Sequence, residues 1–196
     1  FKMKTFNIYS LLLILLLTTV CYSQWYHQNS GVTSNLYSIF SIDGTTAWMT
    51  GANGVIIKTT NMGASWIQKS SGVSYSLSYV YFFNQNEGIV AGSGGTVKKS
   101  YDGGETWVSI NTGTFNRLQE GCFVNDSAGY LIGDAGILLK TTDRGNTWTN
   151  SVIAPEDFSF IFFVNETTGF ATTEWSGQIW KTTDAGISWS LKQIIG

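Results

Sequence analysis

Apolar residues along the chain fall in short runs separated by polar turns, and no segment keeps a helical 3.6-residue period. One run begins near Leu36-Tyr-Ser-Ile-Phe40, Leu77-Ser-Tyr-Val-Tyr-Phe82, Leu118 to Phe123 and Phe158-Ser-Phe-Ile-Phe162. A polar turn follows each: Asp43-Gly44, Asn84-Gln85-Asn86, Asn125-Asp126 and Asn165-Glu166. A second run (Ala47 to Thr50, Gly88 to Ala91, Gly129 to Ile132, Gly169 to Thr172) ends in a Gly-rich turn. A third run (Val55 to Lys58, Thr96 to Lys99, Ile137 to Lys140, Gln178 to Lys181) leads into another turn, and a fourth starts at a Trp. Short runs punctuated by Gly, Asn and Asp predict four strands per unit.

The units repeat. Trp25, Trp66, Trp107, Trp148 and Trp189 recur every 41 residues, and Gly54, Gly95, Gly136 and Gly177 keep the same period. The last unit has one extra residue in its Gly-rich turn, at Thr173-Glu174-Trp175-Ser176, and one fewer upstream. Four strands in about 40 residues is the arithmetic of a propeller blade. The expected fold is all-β: a β-propeller of four-stranded antiparallel blades, with four blades visible. A further strand, Trp25 to Gln28, matches the fourth strand of a blade, yet the last unit already has its own from Trp189 to Ile194. The strand count therefore predicts part of a larger ring of about seven blades, with the chain truncated after Gly196.

The turn between the third and fourth runs is the most regular feature. It reads Lys58-Thr-Thr-Asn-Met-Gly-Ala-Ser-Trp66, Lys99-Ser-Tyr-Asp-Gly-Gly-Glu-Thr-Trp107, Lys140-Thr-Thr-Asp-Arg-Gly-Asn-Thr-Trp148 and Lys181-Thr-Thr-Asp-Ala-Gly-Ile-Ser-Trp189. Asp102, Asp143 and Asp184 are expected to accept backbone N–H bonds within their own turn, and Asn61 offers the same geometry uncharged. Gly63, Gly104, Gly145 and Gly186 supply a positive φ. Each Trp is expected to bury its ring in the blade while its indole N–H finds an acceptor. With one carboxylate per turn, these are self-satisfied structural turns and not Ca²⁺ sites, which take 6–8 oxygen ligands. No metal or cofactor is expected.

The N-terminus reads as an address. Lys4 precedes an apolar stretch from Ile8 to Tyr22, 15 residues long, and Ser23 is a small residue before Gln24. That stretch is short of the roughly 20 residues needed to span a bilayer, so residues 1–23 are expected to be a secretory signal peptide. Membrane contact then ends with cleavage, and residues 24–196 form the propeller domain. The mature chain is expected to be secreted, periplasmic or held at the cell surface. Cleavage removes Cys21 and leaves Cys122, which reads as a buried small residue, so no intramolecular disulfide is available. It also removes Lys2 and Lys4, leaving nine cationic residues against 13 acidic ones, a net charge of −4. That balance excludes a strongly basic nucleic-acid binder.

Catalytic chemistry is thinly represented. His27 is the single histidine, on the strand expected at Trp25 to Gln28, and a histidine-dependent triad would rest wholly on it. Gly92-Ser-Gly-Gly95 lacks the Lys-Ser/Thr that completes a phosphate loop. Asn125-Asp-Ser127 and Asn165-Glu-Thr167 match the glycosylation sequon, but they occupy the same turn in successive units, where turn chemistry accounts for them.

The boxed turns resemble the Asp-box, or BNR, repeat of sialidases, sortilin-type receptors and related propellers. The wider pattern, Gly-x-x-Gly-x-Ile-x-Lys-Thr-Thr-Asp-x-Gly-x-Thr-Trp, looks most like the photosystem II stability/assembly factor-like family of secreted bacterial proteins. The resemblance runs from Trp25 to Trp189. It implies boxes on the blade periphery, away from any central site. Sialidases of this kind use an arginine triad on the substrate carboxylate; the chain has two arginines, Arg117 and Arg144, and Arg144 lies inside a box. Photosynthetic members of the assembly-factor family bear an arginine patch and bind a nascent reaction-centre subunit, whereas the mature chain here is acidic. The resemblance implies a non-enzymatic scaffold whose partner is another protein. The alternative is a sialidase-like propeller that binds or hydrolyses a glycan.

Overall fold

The computed structural model describes residues 27–192. Sixteen strands follow one another in four antiparallel sheets. Blade 1 holds β1 (Leu36–Ser41), β2 (Ala47–Gly51), β3 (Ile56–Thr59) and β4 (Ile67–Lys69). Blade 2 holds β5 (Leu77–Phe82), β6 (Gly88–Gly92), β7 (Val97–Ser100) and β8 (Val108–Ile110). Blade 3 holds β9 (Leu118–Phe123), β10 (Gly129–Gly133), β11 (Ile137–Thr141) and β12 (Thr149–Val152). Blade 4 holds β13 (Phe158–Phe163), β14 (Gly169–Thr173), β15 (Ile179–Thr182) and β16 (Ser190–Lys192). Each sheet pairs its strands in chain order, the arrangement expected of propeller blades.

A four-stranded sheet has two faces to cover, and blades cover each other. Three apolar clusters fill the three interfaces. Trp48, Ile56, Leu77 and Phe82 join blades 1 and 2. Tyr79, Ile89, Leu118 and Leu131 join blades 2 and 3. Tyr130, Leu138, Phe158 and Phe163 join blades 3 and 4. The innermost strands β1, β5, β9 and β13 lie side by side in that order. On the two outer members, Tyr37, Ile39, Phe160 and Phe162 are exposed.

Two sequence features set the blade geometry. The last residue of each first strand is a Phe lying flat over a Gly across the ladder: Phe82 pairs with Gly88, Phe123 with Gly129 and Phe163 with Gly169. A Cβ at those glycines would meet the ring at 2.5, 2.4 and 2.8 Å. Blade 1 departs from this, pairing Ser41 with Ala47. The glycine closing the β2–β3 type of turn is fixed by close approach as well as by φ. At Gly136 (φ +72°) an added Cβ would lie 1.7 Å from the Ala154 carbonyl oxygen. Gly54 and Gly95 face Val73 and Thr114 in the same way, whereas Gly177, in the turn with the extra residue, has open space around it.

Four expectations need correction or placing. The fourth strand begins one residue after each Trp, at Ile67, Val108, Thr149 and Ser190, because the indole belongs to the turn. Of the strand expected at Trp25 to Gln28, Trp25 lies outside the described residues, and His27 and Gln28 are exposed and unpaired in any sheet. Cys122 is half-buried and not fully enclosed, packing against the apolar cluster between blades 3 and 4. The export segment at 1–23 lies outside the described residues.

Candidate functional site

The four boxed turns close the β3–β4, β7–β8, β11–β12 and β15–β16 hairpins. In the second, Asp102 Oδ1 accepts the Thr106 N–H at 2.9 Å, and Oδ2 accepts the Thr106 hydroxyl at 2.6 Å. The Ser100 hydroxyl accepts the Gly104 N–H at 2.7 Å and donates to Asp102 Oδ1. Asp143 repeats this with Thr147 and Thr141, and Asp184 with Ser188 and Thr182. Asn61 keeps the backbone bond to Ser65 at 2.9 Å, but its Nδ2 donates to the Ser65 hydroxyl, reversing that bond's polarity. The Thr106 hydroxyl and N–H hold the Asp102 carboxyl down at about 2, and Ser188 does the same for Asp184. In all three, both carboxylate oxygens accept hydrogen bonds from the turn itself.

The tryptophans are half-buried, not fully enclosed as the sequence suggested, because they sit at the blade rim. Trp107 and Trp148 donate to the Gly104 and Gly145 carbonyls at 3.1 and 3.2 Å. Trp189 Nε1 is buried with no partner among the described residues. Each of these rings stands edge-on to a Phe of its own blade: Trp107 to Phe82, Trp148 to Phe123 and Trp189 to Phe163. Trp66 has no such Phe, since Ser41 holds that place.

Sequence reasoning passed over the Lys that opens each box. Lys58 Nζ donates to the Gly103 carbonyl at 2.9 Å, Lys99 to Arg144 at 2.8 Å and Lys140 to Ala185 at 2.9 Å. Each Lys reaches from its own blade into the box of the next. The signal was available, because the Lys keeps the 41-residue period. Lys99 is 0% exposed and also meets Glu87 Oε1 and Asn146 Oδ1, both at 2.8 Å. Arg144 completes this cluster, binding Glu87 at 3.1 Å and Asp126 at 3.0 Å. The boxes and their cations are therefore occupied in holding the blades together.

A different surface is open for binding. Tyr37, Ser76, Ser78, Ser93, Arg117, Gln119 and Glu120 line a hollow of about 510 Å³ across the starts of the inner strands. Arg117 donates to Gln119 Oε1 at 2.6 Å, and Gln119 Nε2 donates to Glu174 Oε2 at 2.8 Å, tying blade 3 to blade 4 at its mouth. Asp134 stands nearby; burial raises its carboxyl above the ordinary range, Arg117 opposes this, and Asp157 and Glu174 add to it. Burial also raises Glu120, against the pull of the Gly121 N–H at 3.0 Å. Of the two arginines, only Arg117 reaches this surface. The lining positions keep the 41-residue period, Tyr37, Ser78 and Gln119 being one position and Ser76 and Arg117 another, but the residue type changes at each, which is why repeat reading singled out Arg117 alone. Among the described residues, no group of three or more His, Cys, Asp or Glu converges as a metal site would require.

Four-stranded blades stacked side by side with peripheral Asp boxes define an Asp-box propeller. Residues 17–118 and 80–194 match the family described as photosynthesis system II assembly factor YCF48, and the chain belongs to it. No curated protein matches the chain. Among solved structures it resembles "YCF48 bound to D1 peptide" with a TM-score of 0.73 and 17% identity, over 89% of this chain and 58% of that one. It resembles YCF48 from Cyanidioschyzon merolae with a TM-score of 0.62 and 15% identity, over 85% and 61%. An ancestral GH74 enzyme gives a TM-score of 0.67 and 18% identity, over 84% and 26%. The chain thus spans less than two thirds of each of these structures.

Proposed function

We propose that the chain is an exported, non-enzymatic scaffold that holds a segment of another protein in the hollow around Arg117. The observation that carries this is the lining. Three Ser hydroxyls, the Tyr37 ring, the Gln119 amide and the Arg117 guanidinium offer scattered donors and acceptors at an open mouth. An extended polypeptide backbone presents the complementary groups along its length. A YCF48 propeller carrying a D1 peptide supports a protein ligand on this fold. The acidic side chains near the mouth, Asp134, Asp157 and Glu174, favour a segment bearing Lys or Arg.

Glycan hydrolysis is the competing chemistry, and the likeness to GH74 propellers keeps it in view. Hydrolysis needs two carboxyl groups flanking one bond. The hollow has one lining carboxylate, Glu120. The test is selection of a displayed random peptide library on the purified chain, alongside a panel of fluorogenic glycosides. Enriched basic peptides that no longer bind Asp134→Lys or Gln119→Ala would support the scaffold. No enrichment, with glycoside turnover lost on Glu120→Gln, would overturn it.

A further inference from the structure

One buried position of the third strand breaks the pattern of the repeat. In β11 it holds Leu139 and in β15 Trp180, paired across the ladder with Leu131 and Ala171. Both side chains join the apolar cluster between their blade and the preceding one. In β7 the same position holds Lys98, paired with Val90 of the cluster between blades 1 and 2. Lys98 is 7% exposed. Lys58, Lys99 and Lys140 each reach a carbonyl of the next blade, whereas Lys98 Nζ has no acceptor among the described residues. The ammonium is nevertheless not sealed in, since the fully enclosed side-chain atoms without a partner are Thr50 Oγ1 and Trp189 Nε1.

The ammonium sits beside the turn that joins blade 1 to blade 2. A Cβ on Gly72 would lie 3.5 Å from Lys98 Nζ. One blade on, Asn150 Nδ2 takes the corresponding place against Gly113 and donates to the Thr112 and Gly113 carbonyls at 3.3 and 3.4 Å. Lys98 makes no such bond. The same turn holds a second free donor. The Gly31 and Gly113 N–H groups donate to Asn29 Oδ1 and Asn111 Oδ1, both at 3.0 Å. Before Gly72 the equivalent residue is Ser70, and the Gly72 N–H has no acceptor among the described residues. Gly72 lines a hollow of about 390 Å³ together with Asn53, Gln68, Ser70 and Ser74, and no carboxylate lines it. Lys69, also on its wall, is held by Glu105 at 2.7 Å.

We propose that this rim between blades 1 and 2 binds an oxyanion, a phosphate, sulfate or carboxylate group, between Lys98 Nζ and the Gly72 N–H, with the Ser70 hydroxyl alongside. An ammonium is costly to bury without a partner, and an apolar side chain serves the same position in the other blades. An oxyanion offsets that cost, because it accepts from the ammonium and from a backbone N–H at once, and charge-assisted bonds of this kind are the strong ones. The lining offers donors and no negative charge, so it does not suit a cation. The site is separate from the hollow around Arg117 and does not depend on the function proposed there.

Isothermal titration and thermal melts of the purified chain test this, with phosphate, sulfate and acetate at low millimolar concentration against chloride at matched ionic strength. The parent is expected to bind at least one of the three oxyanions and not chloride, and the arm that responds names the group. Lys98→Met keeps the apolar stem and removes the charge. It is expected to melt no lower than the parent in chloride, and to bind the oxyanion at least about tenfold more weakly, in line with loss of a charged hydrogen bond. The general stabilisation of folded chains by sulfate and phosphate acts on both proteins alike, so the difference between them isolates the site. Reductive methylation mapped by mass spectrometry gives a reading on the parent alone: the bound oxyanion slows modification of Lys98 and leaves the exposed Lys192 unaffected. No oxyanion response in the parent, a response that survives Lys98→Met, a Lys98→Met protein that melts well below the parent in chloride, or Lys98 methylation unchanged by the oxyanion would overturn the proposal.

Discussion

Replacing Glu87 by Ala strikes the most enclosed charge of the molecule. Lys99 is fully buried, and its three ammonium protons go to Glu87 Oε1, the Arg144 carbonyl and Asn146 Oδ1, each at 2.8 Å. The substitution leaves a buried cation with two neutral acceptors. Coulomb's law gives about 6 kcal/mol for this pair at an effective dielectric of about 20. The attraction is partly offset by the desolvation already present, and breaking a buried pair typically costs about 3–5 kcal/mol. Arg144 also loses Glu87, but it is part-exposed and keeps Asp126, so that loss adds less than about 1 kcal/mol. Urea titration followed by Trp fluorescence should show Glu87→Ala destabilised by about 3–5 kcal/mol at unchanged m. Glu87→Gln keeps the hydrogen bonds and should cost less. Lys99→Met with Glu87→Ala removes both charges and should recover much of the loss, since paired removal spares the uncompensated cation. A Glu87→Ala midpoint within about 0.5 kcal/mol of the parent, or a double variant whose cost equals the sum of the singles, would refute the reasoning.

Other outcomes follow from the same geometry. Trp148→Ala should cost about 2–3 kcal/mol in denaturant titration, below the about 3–5 of a fully buried aromatic, because the ring is at the rim. Gly136→Ala meets the Ala154 carbonyl and should cost at least about 3 kcal/mol, whereas Gly177→Ala, with positive φ but open space, should cost about 1. Asp102 and Asp184 have folded values near 2, below the ordinary carboxyl range. Their contribution is therefore present above about pH 4 and lost as pH falls toward 2. Asp102→Asn with Asp184→Asn should flatten that acid limb in pH-dependent thermal melts, since Asn61 shows that the turn accepts the amide; an unchanged limb would place the acid sensitivity elsewhere.

The fold was legible because its information is periodic. Trp, Gly and Asp at fixed spacing marked the hairpins, and alternating short runs marked the strands. What the repeat hid was direction. Lys58, Lys99 and Lys140 look like ordinary surface residues in a linear pattern, and only the stacking of blades reveals that each serves the next box. Repeat reading marked the extra residue of the last unit and Asn61 in the first box, but it missed that Ser41 and Ala47 replace the Phe–Gly pair of the other blades. The binding surface was mostly illegible for the opposite reason. Tyr37, Ser78 and Gln119 are one repeat position carrying a different residue in each blade, so no fixed residue type marks it, and the packing of three inner strands brings them together with Glu120. Arg117 stood out only by elimination, as the arginine outside a box.

The boxes hold the blades together, and the hollow around Arg117 is the proposed seat of a partner. Isothermal titration of a library-selected basic peptide, paired with urea melts, tests that division most directly. Asp134→Lys, which places a cation at the acidic mouth, is predicted to abolish binding at a little-changed urea midpoint, while Asp143→Ala is predicted to lower the midpoint and leave binding by the folded fraction intact. Binding that survives Asp134→Lys, or is lost in folded Asp143→Ala protein, would contradict it.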